Sequence, residues 1–321
     1  MQDIRVLGPD EKITEPGFYR MPIERHHSQP CDGISVTSGV LRKMVLQTPA
    51  DVWAFHQLNP KRYVSKETDA LLMGRAMASY IEGGLPELTR LFWVLPEDKP
   101  SKPTAAQIRA ISEGRGTEAG LKSLKFWHEV DKDPREVLGQ AQWDLICAMG
   151  EVVREDPAAG VALGGIPEVS IAWFDEINDL WCLSRPDQFT FSGMVTDYKK
   201  VNTQGRPFNQ SICDQRITQH GYDMQMGFAC EGFLELTKEM PGEVGLVFQW
   251  DEAPYHVILH SIEEQDLRIA MWRNRQARKL FRECYDANHW PGPGEHVMAY
   301  RRPAWQTEQL MEAMAASGAT P

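Results

Sequence analysis

The sequence predicts an α/β protein in which a mixed central sheet is flanked by helices, with a helical layer on its N-terminal side. Three observations carry this reading. Apolar residues recur at helical spacing through much of residues 34–155. From residue 166 the period shortens to β-type alternation, as in "EVSIAWF" and "MVTDYKKV". Helical spacing then returns in "EEQDLRIAMWRNRQARKLFRECYDA". A chain of 321 residues is long for one domain and short for three, so one enlarged domain or two closely packed ones are expected.

In chain order, residues 1–33 are polar and Pro-rich and read as an arm with at most one short strand. Adjacent His26 and His27 cannot easily turn to one metal on a regular element, so surface or tail positions are expected for them. "SVTSGVLRKMVLQTPADVWAFHQL" reads as two short helices, with Ser38 and Thr48 as N-caps and Pro49 in a first turn. "ETDALLMGRAMASYIEGG" reads as an amphipathic helix ended by its glycines. After the charged loop "PEDKPSKPTAAQ", residues 104–155 look helical. "IPEVSIAWF", "DLWCLSRPDQFTF" and "MVTDYKKV" are expected as three antiparallel strands, separated by "DEIND" and "SG" turns. One helix over residues 208–239, two strands in "VGLVFQW" and "YHVILHSI", and the long helix follow, then a Pro/Gly-rich tail.

Hydrophobic content of 42% with 25% charged residues is ordinary globular composition, and no apolar run approaches the roughly 20 residues of a bilayer span. The start "MQDIRVLGPDEK" lacks a basic segment followed by an apolar stretch, so no secretory signal and a cytoplasmic location are expected. The six cysteines are scattered without metal-site spacing and are expected to be reduced thiols. A net charge of −11 opposes non-specific coating of nucleic acid and leaves only a local basic channel as a route to it.

The stretch "RPDQFTFSGMVTDYKK", residues 185–200, concentrates the chemistry. Side chains two apart on a strand share a face, so Asp197 and Lys199 project together beside Val195 and Val201. A tight reversal at "FSGM" brings Asp187 alongside Asp197. Two such carboxylates raise one another's pKa unless a cation lies between them, and oxygen-only ligands suit Mg²⁺ or Mn²⁺. A lysine beside them can orient an attacking water and offset transition-state charge, which together describes phosphodiester hydrolysis. The alternative is a surface Asp–Lys ion pair with a turn aspartate.

Pro186-Asp187 and Asp197-Tyr198-Lys199 match the "PD" and "(D/E)xK" of the PD-(D/E)XK nuclease superfamily. "EVSIAWF", "GYDMQMGFACEGF", "FRECYDANHWPGP" and the early "ISVTSGVLRKMVLQTPADVWAFHQLNP" resemble the phage- or prophage-derived RecE-type exodeoxyribonucleases, exonuclease VIII. The resemblance implies a restriction-endonuclease-like core over residues 161–305, a helical part of the nuclease over 34–160, and a tail over 306–321. It implies Asp187 and Asp197 as metal ligands, Lys199 as the catalytic lysine, and Tyr222 and Gln225 as the family's "GYxxQ" pair. The bland alternative for Tyr222 and Gln225 is helix-to-sheet packing. Glu168 begins its strand as in those relatives, either ligating or pairing with a base. The implied activity is metal-dependent exonuclease action on linear double-stranded DNA, with 5′ to 3′ polarity expected, leaving 3′ single strands for a single-strand annealing recombinase. A ring-shaped homo-oligomer is implied by the same comparison.

One position departs from the family pattern. Relatives carry a histidine four residues after the helix glycine, and here that position is Ala78. Glu82, one turn on, is a candidate substitute ligand. Ala78 supports a second reading, a catalytically weakened relative that binds DNA ends or a recombination partner without cutting; a nuclease of other polarity, or an endonuclease, is a third. Arg185 and the basic helix residues Arg273, Arg275, Arg278 and Lys279 are candidate DNA contacts, or else part of a solvated face. "NPKRY" at 59–63 has the same ambiguity, His128 beside Glu129 reads as a surface or packed residue, and the Met/Trp stripes read as core filling.

Overall fold

The computed structural model describes residues 3–64, 68–295 and 299–318. The chain begins with β1 (Ile4–Val6), β2 (Gly17–Arg20), α1 (Ile23–His27) and β3 (Ser35–Thr37). Then come α2 (Ser38–Leu46), α3 (Pro49–Phe55), α4 (Asp69–Leu91), β4 (Phe92–Leu95), α5 (Ala105–Ser112), α6 (Glu118–Lys132), β5 (Glu136–Gly139), α7 (Gln140–Glu155) and α8 (Pro157–Ala162). The second half opens with β6 (Ile166–Pro167), β7 (Ser170–Asp175), β8 (Leu180–Ser184), β9 (Gln188–Phe189) and β10 (Met194–Val201). It ends with α9 (Gln210–His220), α10 (Tyr222–Thr237), β11 (Glu243–Trp250), β12 (Val257–Ser261), α11 (Glu264–Ala287) and α12 (Ala304–Ala316).

Two five-stranded mixed sheets form, in the orders β1-β2-β7-β8-β3 and β12-β11-β10-β9-β6, beside a parallel pair β4-β5. In the second sheet β10 runs parallel to β11 from Met194↔Glu243 to Val201↔Trp250, while β9 and β12 are antiparallel to their neighbours. The three-strand meander expected from the sequence is therefore corrected. Its first two strands bend, and each contributes to both sheets, β6 into β7 and β8 into β9. The bends coincide with Pro186, which has no N–H for a ladder, and with Glu168, which sits at φ 55°. The Glu168 amide still donates to the Asp187 carbonyl at 3.1 Å, so the two bends are held side by side.

The second sheet is covered on both faces, which is why β10 and β11 are apolar on both sides. Val195, Val201, Leu246 and Phe248 join a core shared with α2, α10 and α11. Val247, Tyr198 and Val257 face a second core built by Met73, Met77 and Tyr80 of α4 and by Ile146 and Met149 of α7. A third cluster, including Leu7, Ile13, Met21 and Trp181, lies under the N-terminal strands.

That cluster corrects the reading of residues 1–33 as an arm. They supply two strands and a helix, and β2 pairs with β7. His26 is buried, its Nδ1 2.9 Å from Ser170 Oγ, whereas His27 is exposed. Other departures are local. Thr37, not Ser38, stands at the N-cap of α2, whereas Thr48 caps α3 through a capping box with Asp51. Gly84 (φ 66°, ψ −156°) leaves helical geometry inside α4, so the helix before it does end at the glycines and a second helical segment follows across the kink. Gly221 (φ 62°) splits the helix expected over 208–239 into α9 and α10. The short parallel strands β4 and β5, and α12 in the expected tail, carried too little periodicity to be read. Residues 296–298 and 319–321 of that tail lie outside the described residues.

Candidate active site

The site grows from the β9–β10 turn. Gly193, at φ 95°, reverses the chain there, and the pairing of Phe189 with Val195 and Gln188 with Thr196 carries Asp187 opposite Asp197. Asp197 is 1% exposed. Its Oδ1 accepts from the Asp187 amide at 3.2 Å and from Gln225 Nε2 at 3.0 Å, while its Oδ2 accepts from Lys199 Nζ. Asp187 turns its own Oδ2 onto the Tyr198 amide at 2.8 Å.

The charges are strongly perturbed. Burial, with the Asp197 charge adding to it, raises the Asp187 carboxyl to about 7. Burial by itself would depress Lys199, but Asp197 and Asp187 overcome it and hold the ammonium above the usual lysine value. Lys199 is thus a fixed cation, not a free base. Its Nζ lies 4.7 Å from the centroid of the Tyr222 ring.

Gly221 explains how Tyr222 arrives there. The left-handed glycine ends α9 and starts α10, placing Tyr222 in the first turn and Gln225 one turn later, both toward β10. Two residues beyond the sequence reading join this cluster. Arg42 of α2 has its guanidinium 5.7 Å from the same Tyr222 ring and donates to the His220 carbonyl at 3.1 Å. The His220 ring stacks on Tyr222 at 5.2 Å. The Arg42–His220 contact joins positions 178 apart, so no local pattern announces it.

The other candidates separate from this group. Glu168 accepts from Arg185 at 2.6 Å, and the Arg185 side chain, 9% exposed, also donates to the Met21 carbonyl at 2.7 Å. Glu82 is exposed; partial burial and the neighbouring Glu168 hold its carboxyl above the usual range. Among the described residues no three His, Cys, Asp or Glu side chains gather closely enough to hold a metal, so Glu82 and Glu168 do not join Asp187 and Asp197 in one cluster. Ala78 is half-buried on α4.

Of the α11 cations read as DNA contacts or as a solvated face, Arg278 fits neither reading. Arg278 is buried at 3% exposure, paired with Glu231 at 2.8 Å and Asp175 at 2.6 Å. Arg273 is tied to Asp223 at 2.9 Å; Arg275 reaches Glu231 at 3.1 Å yet stays exposed, as does Lys279, 3.8 Å from Glu283. A roomy apolar cavity of about 550 Å³ opens on the opposite face of β10, lined by Met194 and Thr196. Alternation puts it away from Asp197 and Lys199.

Residues 38–303 match the family model described as a PDDEXK-like domain of unknown function, DUF3799. The chain belongs to this family. The mixed sheet flanked by helices is the restriction-endonuclease-like fold of PDDEXK-like domains. A structure described as that of a proposed exonuclease from Eubacterium rectale superposes with a TM-score of 0.58 over 92% of this chain and 98% of its own, at 13% identity. A phage related exonuclease from Haemophilus somnus aligns with a TM-score of 0.30 over 66% of this chain and 95% of its own, at 12% identity. At such identity the first likeness speaks to the fold alone, and the second carries no argument. No curated protein matches. Membership establishes the PD-(D/E)XK superfamily, a broader grouping than the RecE-type enzymes. No helix among the described residues of this PDDEXK-like domain is long and apolar enough to cross a membrane.

The donor set fits a hard divalent ion. Asp187 and Asp197 offer oxygen only, their repulsion is expressed in the raised Asp187 carboxyl, and the buried Gln225 Oε1 beside them has no hydrogen-bond donor. Two carboxylates suffice for Mg²⁺, which completes its shell with water and substrate phosphate.

Proposed function

We propose that this PDDEXK-like domain is a metal-dependent exodeoxyribonuclease that hydrolyses linear double-stranded DNA, working 5′ to 3′ and leaving 3′ overhangs for recombination. One observation carries the reading: Lys199 Nζ is held between the Asp197 carboxylate and the Tyr222 ring, one residue-pair along the strand from the Asp187–Asp197 couple. Mg²⁺ or Mn²⁺ held by Asp187 and Asp197 would supply Lewis-acid charge to a bound phosphate and a more acidic water. Lys199 orients the water and offsets the negative charge carried by the phosphoryl oxygens as the water oxygen attacks phosphorus and the bond to the leaving sugar oxygen breaks. Gln225 fixes Asp197, and Tyr222 confines the lysine. End-directed action is taken from the resemblance of the motifs around Asp187, Asp197 and Lys199 to exonucleases, since the shared fold by itself serves several superfamily activities. A single-strand annealing recombinase as consumer of the overhang, and a ring of identical subunits threading the DNA, complete the proposal.

A second reading is favoured by Ala78, a methyl where an imidazole stands in the resembling enzymes: the chain binds DNA ends or a recombination partner without cutting them. End-labelled linear and circular duplex DNA incubated with Mg²⁺ or Mn²⁺ separates the two. Loss of label from linear DNA, abolished by Lys199→Ala, supports the exonuclease. Cutting only after Ala78→His supports the binding reading. Silence from the folded protein and both variants sinks the nuclease assignment.

A further inference from the structure

Arg42 is a half-buried cation that no carboxylate contacts among the described residues. Arg185, Arg273 and Arg278 each meet a carboxylate, at 2.6, 2.9 and 2.8 Å. Arg42 forms no ion pair among the described residues. Among the described residues its one hydrogen bond goes to the neutral His220 carbonyl, and its buried Nε has no partner. Desolvating a guanidinium without an acceptor is costly, so such a group persists where something anionic completes it. Burial lowers the Arg42 pKa, although the Asp197, Tyr222 and Asp223 groups around it act in the opposite sense.

Its position identifies the anion. Arg42 and Lys199 both lie against the Tyr222 ring, at 5.7 and 4.7 Å from its centroid, and Lys199 touches the Asp197 carboxylate. A planar fork of N–H donors beside a catalytic lysine matches the two non-bridging oxygens of a phosphate better than any monodentate ligand. We propose that Arg42 contacts a backbone phosphate of the bound DNA and anchors the strand against the Tyr222 ring while Lys199 attends the reacting phosphate. The choice of DNA phosphate as the anion rests on the nuclease reading; the guanidinium without a contacting carboxylate does not.

The test measures binding of a short labelled duplex with Ca²⁺ in place of Mg²⁺, across a salt series, alongside cleavage of the same duplex in Mg²⁺ and thermal melting. Arg42→Gln is expected to weaken binding about tenfold and to shrink the slope of log K against log salt by about one, the signature of a lost phosphate contact. Its melting temperature should stay unchanged, and Arg42→Lys should restore most of the slope. Unchanged affinity and slope in Arg42→Gln overturn the proposal, and continued cleavage by the unaltered chain then leaves the nuclease reading standing. A lowered slope with no cleavage by the unaltered chain keeps the phosphate contact and discards the nuclease. Equal loss in both variants with a lower melting temperature marks a structural role and overturns the contact. Failure of the unaltered chain to bind duplex at all overturns both.

Discussion

Asp187 donates its backbone N–H to the Asp197 carboxylate across 3.2 Å, so the same peptide that carries one acid fixes the other. Their repulsion is therefore built into the hairpin and cannot relax by strand movement. Burial and Asp197 raise Asp187 to about 7 from an ordinary 3.8, which means folding takes up a proton between those values. Stability falls as pH rises through that window, because the unfolded chain binds fewer protons there than the folded one. Asp187→Asn is expected to melt about 2 °C or more higher than the unaltered chain at pH 8 without metal, and to lose hydrolysis. Mg²⁺ should raise the melting temperature of the unaltered chain and leave the variant unmoved. Calorimetry with and without the ion checks both.

Lys199 has the opposite logic. Its ammonium is the cation that Asp197 already owns, and removing it leaves a buried carboxylate supported only by the Asp187 amide and Gln225. Lys199→Ala is expected to slow phosphodiester hydrolysis about 10³-fold, the scale of a lost electrostatic stabiliser. It should also cost about 1–3 kcal/mol of stability for the acceptor left unpaired. Initial rates on end-labelled duplex, with urea unfolding of the same samples, measure the two separately.

Gly221 decides where Tyr222 stands. Its φ of 62° is left-handed, and a Cβ there would meet Leu46 Cδ1 at 3.3 Å and Arg42 Cγ at 3.4 Å. Gly221→Ala is expected to destabilise the fold by about 1–2 kcal/mol and to lower activity by disturbing Arg42 and Tyr222 together. An equal loss from Gly114→Ala, another left-handed glycine with open space around it, would show that backbone strain alone accounts for the stability cost.

The contrast between legible and illegible parts of the site follows from these cases. Asp187, Asp197 and Lys199 lie within 13 consecutive residues, where strand alternation and one glycine turn suffice to predict their meeting. Gln225 reaches them through helix spacing from Tyr222. Arg42 and His220 meet only because α2 packs on α10, a tertiary contact that periodicity does not encode. The basic run of α11 misled for the same reason: Arg278 looks like a solvated cation until Glu231 and Asp175 arrive from α10 and β7. The fold class was legible because whole segments change period, but the switching of bent strands between sheets hung on single residues, Glu168 and Pro186.

The Arg278 network gives its own prediction. A guanidinium at 3% exposure held by Glu231 and Asp175 is structural, and Arg278→Ala leaves Asp175 without its base and Glu231 with the exposed Arg275 alone. The expected cost is about 3–5 kcal/mol, read by urea unfolding. Duplex binding measured below the melting transition should be unchanged. A selective loss of binding with stability intact would return Arg278 to the DNA surface.

Acid stability depends on two buried histidines that oppose Asp187. Burial lowers His56 to about 4 from 6.5, and the fully buried His26 is pushed well below 6.5 by desolvation, then by His27 and Arg185. The unfolded chain takes up these protons first, so their contribution is complete above pH 6.5 and is lost as pH falls toward the folded values. For His56 this amounts to about 3 kcal/mol between pH 6.5 and 4. Over the same interval the Asp187 carboxyl adds stability as pH falls, so the two trends partly cancel in the unaltered chain. Separate variants expose them. His56→Asn, whose amide can still accept from Leu58 N–H as His56 Nδ1 does at 3.3 Å, should lose less stability from pH 7 to 4.5 than the unaltered chain, with His26 still opposing Asp187. Asp187→Asn should show a steeper acid loss than the unaltered chain. Urea unfolding at half-unit pH steps measures both slopes, and parallel curves for all three proteins would refute the assignment of either group.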